Sequence, residues 1–555
     1  MKLRSFFLIL AGIAVVSLSV AGGSVAWVLA QSPFNLLSGG VVTNPSAAIF
    51  VPKQSPVVVS LLANPDRLEQ FAQVAAPINA RSRARAELTQ IKTGLLANTG
   101  ADYVRDVQPW LGDEITFALT SPDFDRDSNN GAQPGYLLVA ESKDGQLARE
   151  FLQAFYAKDA IAGESELVSK TYKGVNLIYR RAISDNNSTS ASAVVGDRFV
   201  LFANHPKVLR AAINNVQAID RSLENSPPYQ KALQTIQTPR IGVATINLPG
   251  LNAWISKQPL PPEFDQTLTV TLSLARQGLV AQSAIAGVFD EQTTLPALSA
   301  PVQALNYIPT NNTLTAAGAD LQQFWEQLST GLAPSSPFTQ ILNRLVARGN
   351  ANLGLDLEGD IFNWVRGEYA LSLLPGVAEN SPSWLFVAQN NTPEATAGIE
   401  RLDRLAKEQD LSLGNLALGD KKVTAWTELK TIPGEVSPRL EAKVKGVHTT
   451  VGNYEIFSSS LAGMERALGG ENAILESKAF KRAIALLPKT NNGYFSLDWD
   501  LAQPLIEEKA PLFRAIEFAG RPLFNNLRAI VLSSSGREKG ISRASAFLQL
   551  GTGDS

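Results

Sequence analysis

Trp110-Leu111-Gly112-Asp113-Glu114 reappears as Trp364-Val365-Arg366-Gly367-Glu368, and Asp106, Trp110 and Glu114 each stand 254 residues before Asp360, Trp364 and Glu368. The patterns around this stretch recur in the same order. Upstream, Ala48-Ile49-Phe50-Val51-Pro52 and Leu305-Asn306-Tyr307-Ile308-Pro309 each read as a strand closed by a Pro-marked turn. Downstream, Ile115 to Leu119 alternates as a half-buried strand does. Tyr136-Leu137-Leu138-Val139-Ala140 matches Trp384-Leu385-Phe386-Val387-Ala388, continuous apolar runs suited to central strands. Helical patterns follow at Gln146 to Tyr156 and at Ala395 to Lys407. Val195-Gly196-Asp197 and Val451-Gly452-Asn453 sit between apolar runs and suit a two-residue hairpin turn, because glycine accepts positive φ without a Cβ clash. Each copy then proceeds to a helix, a strand (Gly242 to Leu248, Gly493 to Trp499) and a closing hairpin (Leu268 to Val288, Leu527 to Leu550).

Strands outnumber helices and are joined by short turns, which favours antiparallel pairing with helices on one face. The expected fold class is α+β: two tandem copies of a mixed, mainly antiparallel sheet-plus-helix unit behind one N-terminal transmembrane helix. The expected boundaries are a signal anchor at 1–31, a linker at 32–46, a first repeat domain at 47–292 and a second at 293–555. The 555 residues are too many for one ordinary core and suffice for two.

The anchor is read from Lys2 and Arg4 followed by an uncharged run of 25 residues, Phe6 to Ala30. That exceeds the roughly 20 residues a helix needs to cross a bilayer. Flanking positive charge stays cytoplasmic. The expectation is therefore a single-pass membrane protein whose body lies in periplasm or thylakoid lumen.

Composition removes several classes of function. Setting aside Lys2 and Arg4, 47 basic residues face 51 acidic ones, which offers no field for nucleic acid. The chain has no cysteine, so disulfides, thiolate metal sites and thiol nucleophiles are absent. The histidines are His205, in a turn entering a helix, and His448, read as beginning a strand; both are expected to be surface or capping residues. No Gly-x-Ser-x-Gly, Ser-x-x-Lys, phosphate-binding loop or dinucleotide fingerprint occurs. No catalytic residue and no cofactor is expected.

Two groups of acids merit comparison with known chemistry. Asp123, Asp125, Asp127 and Asn129 alternate as Ca²⁺ ligands do, but an EF-hand loop from Asp123 would need Gly at Ser128 and Glu at Pro134. A solvated hairpin loop is the expectation, with incidental Ca²⁺ binding as the alternative. Asp106 with Glu114 and Asp360 with Glu368 flank their tryptophans and could do acid–base work if desolvated. The structural expectation is that Asp caps a helix end, Trp packs in the core and Glu opens a strand. Arg81-Ser82-Arg83-Ala84-Arg85 gives a basic helix face, expected to be solvated.

The N-terminal apolar segment, the paired Trp-Leu-Gly-Asp-Glu units, the Gly135-Tyr136-Leu137-Leu138-Val139-Ala140 strand and the Val195-Gly196-Asp197 hairpin resemble a cyanobacterial family, domain of unknown function 3352 (DUF3352). The resemblance runs from about Ala48 to the C-terminus, a length of two domains. It implies a membrane-anchored protein of the plasma or thylakoid membrane and supplies no catalytic residues. The functional expectation is a non-enzymatic scaffold or interaction protein with a membrane or lumenal protein partner. The alternatives are a binding protein for a lipid, pigment or other apolar ligand between the two repeats, and a carboxylate-dependent hydrolase.

Overall fold

In the computed structural model the described residues run from 43 to 550, apart from 65, 67–100, 128, 162–164, 183–187, 237, 257–265, 276–277, 288–295, 331–342, 345, 352–353, 377–381, 433–438, 471, 510–523, 525 and 539. The apolar run 6–30 and the basic stretch 81–85 lie outside them. The chain divides into two compact units, Met1–Val288 with Pro511–Leu527 and Leu548–Ser555, and Phe289–Ala510 with Arg528–Phe547.

In the first unit the β-branched and aromatic runs form β1 (Val57–Leu61), β2 (Leu111–Ser121), β3 (Gly135–Ser142), β4 (Ser165–Tyr172), β5 (Val175–Ala182), β6 (Ser188–Val195), β7 (Phe199–Ala203), β8 (Gly242–Asn247), β9 (Thr267–Ala275) and β10 (Gly278–Ala286). Their pairings give the order β4-β5-β6-β7-β3-β2-β1-β8-β9-β10, antiparallel throughout. The second unit contains β11 (Leu314–Gly318), β12 (Tyr369–Leu374), β13 (Ser383–Gln389), β14 (Ser412–Leu418), β15 (Lys421–Ile432), β16 (Arg439–Val451), β17 (Tyr454–Ser458), β18 (Gly493–Asp498) and all but the ends of β19 (Leu527–Glu538) and β20 (Ile541–Leu550). Its order is β14-β15-β16-β17-β13-β12-β11-β18-β19-β20, again antiparallel.

These pairings correct the expected fold class. No described pairing is parallel, so the sheet is antiparallel and not, as expected, mixed. The membrane expectation is corrected too. No helix among the described residues is long and apolar enough to cross a membrane, so the single-pass assignment and the location drawn from it do not stand.

Helices also cover both faces of the sheet, not one. In the first unit the helix Gly145–Ile161 packs Ala148, Leu152 and Tyr156 with Trp110, Ala140 and Val200. The helix Pro206–Gln217 packs Val208, Leu209 and Ile213 with Leu137, Val139 and Leu201 on the other face. Successive residues of a central strand point to opposite faces, so an unbroken apolar run such as 137–140 needs a cover on each side. In the second unit the helix Pro393–Glu408 lays Ala395, Ile399 and Leu402 on Trp364, Phe386 and Phe457. Pro393 at its first turn and the Thr392 hydroxyl, accepting from Ala395 N at 3.2 Å, fix its start.

Two local readings change. The stretches from Ala48 and from Leu305, expected as strands, instead fall in 3-10 helices, Ser46–Ile49 and Gln303–Tyr307. The first hairpin, closed by Val195 opposite Phe199, has three turn residues, whereas Val451 opposite Tyr454 leaves the expected two, Gly452 and Asn453. Gly196 and Gly452 both have positive φ, 57° and 60°.

Candidate functional site

The acids singled out by the repeat accept from backbone, and Arg105 and Arg401 also pair with Asp106 and Asp360, each at 2.7 Å. Asp106 Oδ2 accepts from Asp102 N at 2.8 Å and Asp360 Oδ2 from Asp356 N at 2.9 Å, each closing one wide helical turn. Trp110 Nε1 then donates to Asp106 O at 2.9 Å, and Trp364 Nε1 to Asp360 O at 2.8 Å. Glu114 accepts from Ser46 N (2.7 Å), Ser46 Oγ (2.6 Å) and Ala47 N (2.9 Å), so it caps the 3-10 helix Ser46–Ile49 from the sheet. Glu368 Oε2 accepts from Gln303 N (2.6 Å), from Ala304 N (3.3 Å) and from the Tyr454 hydroxyl (2.7 Å). Burial first, then that bond, pushes the Tyr454 phenol well above its ordinary range.

The acidic loop is turned inward on itself. Asp125 Oδ1 accepts from Asp127 N, Asp127 Oδ1 from Asn129 N, and Asp123 Oδ1 from Gln133 N. No group of three or more His, Asp or Glu among the described residues converges as metal ligands. His205 caps the Pro206–Gln217 helix, its Nδ1 accepting from Lys207 N at 3.1 Å, and stacks on Phe124 at 4.6 Å.

A dense polar cluster lies elsewhere, under β14, β15 and β16. His448 sits inside β16 rather than opening a strand, and only 6% of it is exposed. Its Nδ1 meets Glu455 Oε1 at 2.6 Å and its Nε2 meets Asp403 Oδ1 at 3.2 Å. Trp426 Nε1 donates to the same Asp403 oxygen at 2.8 Å, and the Thr450 hydroxyl donates to Glu455 Oε2 at 2.6 Å. The ring stacks on Phe457 at 5.5 Å and lies 5.4 Å from Trp426. Burial alone would lower the His448 pKa, but the bond to Glu455 and the charges of Glu455 and Asp403 outweigh it and hold it above its ordinary value. Both ring nitrogens are engaged by carboxylates.

The first unit builds the same place from hydroxyl groups, with the Arg180 guanidinium 4.9 Å from the Tyr156 ring. There the Gly145–Ile161 helix supplies Tyr156, whose hydroxyl meets Ser192 Oγ of β6 at 2.7 Å. Val200, opposite Ala140, stands where Glu455 stands opposite Ala388. A hydroxyl pair with a valine is thus replaced in the second unit by an acid, an imidazole and a second acid.

Above this cluster β14, β15 and β16 make an arm. β14 pairs with Lys421 to Thr427 only, so Glu428 to Thr431 and Leu440 to Lys443 continue as a two-stranded ribbon past a bulge at Trp426 and Thr427. Strand alternation sorts the ribbon into two faces. Glu428, Lys430, Glu441 and Lys443 share one; Lys430 Nζ and Lys445 Nζ both reach Glu428 at 3.1 Å. Those two bonds hold the Glu428 carboxyl below its ordinary range. Leu429, Thr431, Leu440 and Ala442 share the other, where Leu429 is 46% and Leu440 68% exposed. The sequence reading missed this arm. Its signals are Gly419-Asp420 between two strand patterns and the alternation of Lys421 to Lys430.

Fold and site together define a class: an antiparallel-sheet protein with helices on both faces, carrying an exposed β-arm over a buried acid–imidazole–acid cluster. The chain belongs to the family described as Protein of unknown function (DUF3352), whose model matches residues 10–550. No curated protein and no solved structure matches it.

Proposed function

We propose that the chain is a non-enzymatic interaction protein, a scaffold that engages a protein partner through the apolar face of the β15–β16 ribbon. The observation that carries the reading is Leu440, 68% exposed beside Leu429 at 46% on one face of a projecting ribbon. Single exposed leucines are common, but two on one ribbon face, backed by a charged opposite face, suit a docking surface with built-in orientation. The engagement of Glu114 and Glu368 by backbone, and of both His448 nitrogens by acids, supports a role without acid–base chemistry. The motifs of the family resemblance support a cyanobacterial source.

The test places a photo-crosslinking amino acid at Leu440 or, as the opposite-face control, at Lys430, in the full chain expressed in its host cell. A discrete protein adduct from position 440 and none from 430 is the expected result. No adduct from 440, or equal adducts from both faces, refutes the assignment.

A further inference from the structure

The chain contains the tripeptide Asn-Asn-Gly twice, as Asn129-Asn130-Gly131 and as Asn491-Asn492-Gly493, and these hold its two Asn-Gly pairs. We infer that Asn130 is a site of spontaneous deamidation and that the fold spares Asn492. An asparagine side chain is open to attack by the backbone nitrogen of the residue that follows it, and a glycine there puts no Cβ in the way. The Gly131 nitrogen adds to Asn130 Cγ. The new C–N bond closes a succinimide ring, and Nδ2 leaves as ammonia with the proton that Gly131 gives up. Water then opens the ring at either carbonyl, giving aspartate or isoaspartate. The sequence of steps consumes water alone and changes no oxidation state.

The surroundings of the two pairs decide which one reacts. Asn130 and Gly131 are both exposed, in the loop between β2 and β3. Gly131 has φ of 72°, and its Cβ position meets nothing within 4 Å. Its nitrogen donates to no protein group among the described residues. The Asn130 amide donates from Nδ2 to Asp125 Oδ2 at 2.9 Å, an exposed bond that exchanges readily with water. At the second pair the attacking nitrogen and the leaving amide are both tied down. Gly493 N donates to Asn491 Oδ1 at 3.0 Å, and Asn491 is only 1% exposed. Asn492 Nδ2 donates to Pro296 O at 3.1 Å and Asn492 N to Ser534 O at 2.7 Å. Gly493 also opens β18, opposite Gly318 of β11, so its backbone moves only if the ladder opens. Reaction at Asn130 alters its loop as well. An amide donor gives way to a second carboxylate facing Asp125, whose own carboxyl that amide, first among its neighbours, holds below the ordinary range.

Peptide mapping by mass spectrometry, on the full chain held folded in mildly alkaline buffer, tests this. The peptide carrying Asn130 is expected to gain the mass of an amide-to-acid exchange about tenfold or more faster than the peptide carrying Asn492, which must first open locally. An isoaspartyl methyltransferase with labelled S-adenosylmethionine should mark the Asn130 peptide, and Asn130→Gln, which would have to close a larger ring, should lose that mark. In urea, where neither tripeptide is held, Asn492 should catch up with Asn130. Equal rates at the two sites in the folded chain, faster change at Asn492, or no change at Asn130 overturns the inference. An Asn492 that stays slow in urea overturns it too, because the contrast then comes from neighbouring sequence and not from the fold.

Discussion

His448 Nδ1 lies 2.6 Å from Glu455 Oε1 while its Nε2 faces Asp403 Oδ1, so a neutral ring would set a lone pair against one carboxylate. Charge on the ring satisfies both. Its folded pKa is raised above the ordinary 6.5. Stabilisation from a raised histidine is complete below the unfolded value and is lost as pH rises through the folded one. Thermal melts from about pH 6 to about pH 9 should therefore fall on the alkaline side. His448→Gln should remove that dependence; identical slopes for the two proteins would contradict it.

His205 should behave in the opposite sense. Burial first, then Lys207 and Arg210, lowers its pKa to about 4. Nδ1 accepts the helix-capping bond, so the proton of the neutral ring belongs on Nε2. The unfolded chain takes up a proton near 6.5 that the folded chain refuses until about 4, so stability declines as pH falls through that interval. With two histidines in the chain, two ring signals are expected in ¹H–¹³C spectra. One should titrate near 4 and the other above 6.5.

Exchanging the buried cluster of the second unit for its counterpart in the first should separate pairing from packing. Glu455→Val alone leaves His448 with one acid and should cost about 3–5 kcal/mol in urea unfolding. The triple replacement Asp403→Tyr, His448→Ser, Glu455→Val installs the neutral set and should recover most of that loss, since a well-packed neutral replacement of a buried ion cluster is often neutral or stabilising. A triple variant no more stable than Glu455→Val would show that the three positions do not act as one unit.

Glu114→Ala removes the acceptor for Ser46 N, Ser46 Oγ and Ala47 N. Bonds to charged groups contribute about 1.5–3 kcal/mol each, and losses at one acceptor do not add fully, so about 3 kcal/mol is expected. Hydrogen exchange should accelerate first at Ser46 to Phe50. Exchange unchanged there would remove Glu114 from its capping role.

What was legible in the chain was local. The Trp110 and Trp364 stretches, the apolar strands that follow and the Gly452-Asn453 turn declare themselves by period-two alternation and glycine at positive φ. Ala48-Ile49-Phe50-Val51 reads as a strand because a four-residue apolar run suits strand and helix alike, and the group that makes Ser46–Ile49 a 3-10 helix, Glu114, lies 68 residues beyond Ser46. The His448 cluster was half legible. With a two-residue turn at Gly452-Asn453, Thr450 falls opposite Glu455 and His448 opposite Phe457, which puts imidazole and carboxylate on one face. Asp403, 45 residues earlier on a helix, follows from no local rule. The purely antiparallel order depends on which distant strands meet, and hydropathy does not encode that.

One interior strand of each unit has consequences for its synthesis. Val57 of β1 pairs with Ile246 of β8, and Leu314 of β11 with Leu497 of β18, separations of 189 and 183 residues. At about 5–20 residues per second, the ribosome needs about 10–40 s between making one partner and the other. For that interval β1 holds a half-finished ladder. Each unit can close only after nearly all of its own polypeptide has emerged, and the nascent chain must be kept from pairing with the wrong strand while it waits.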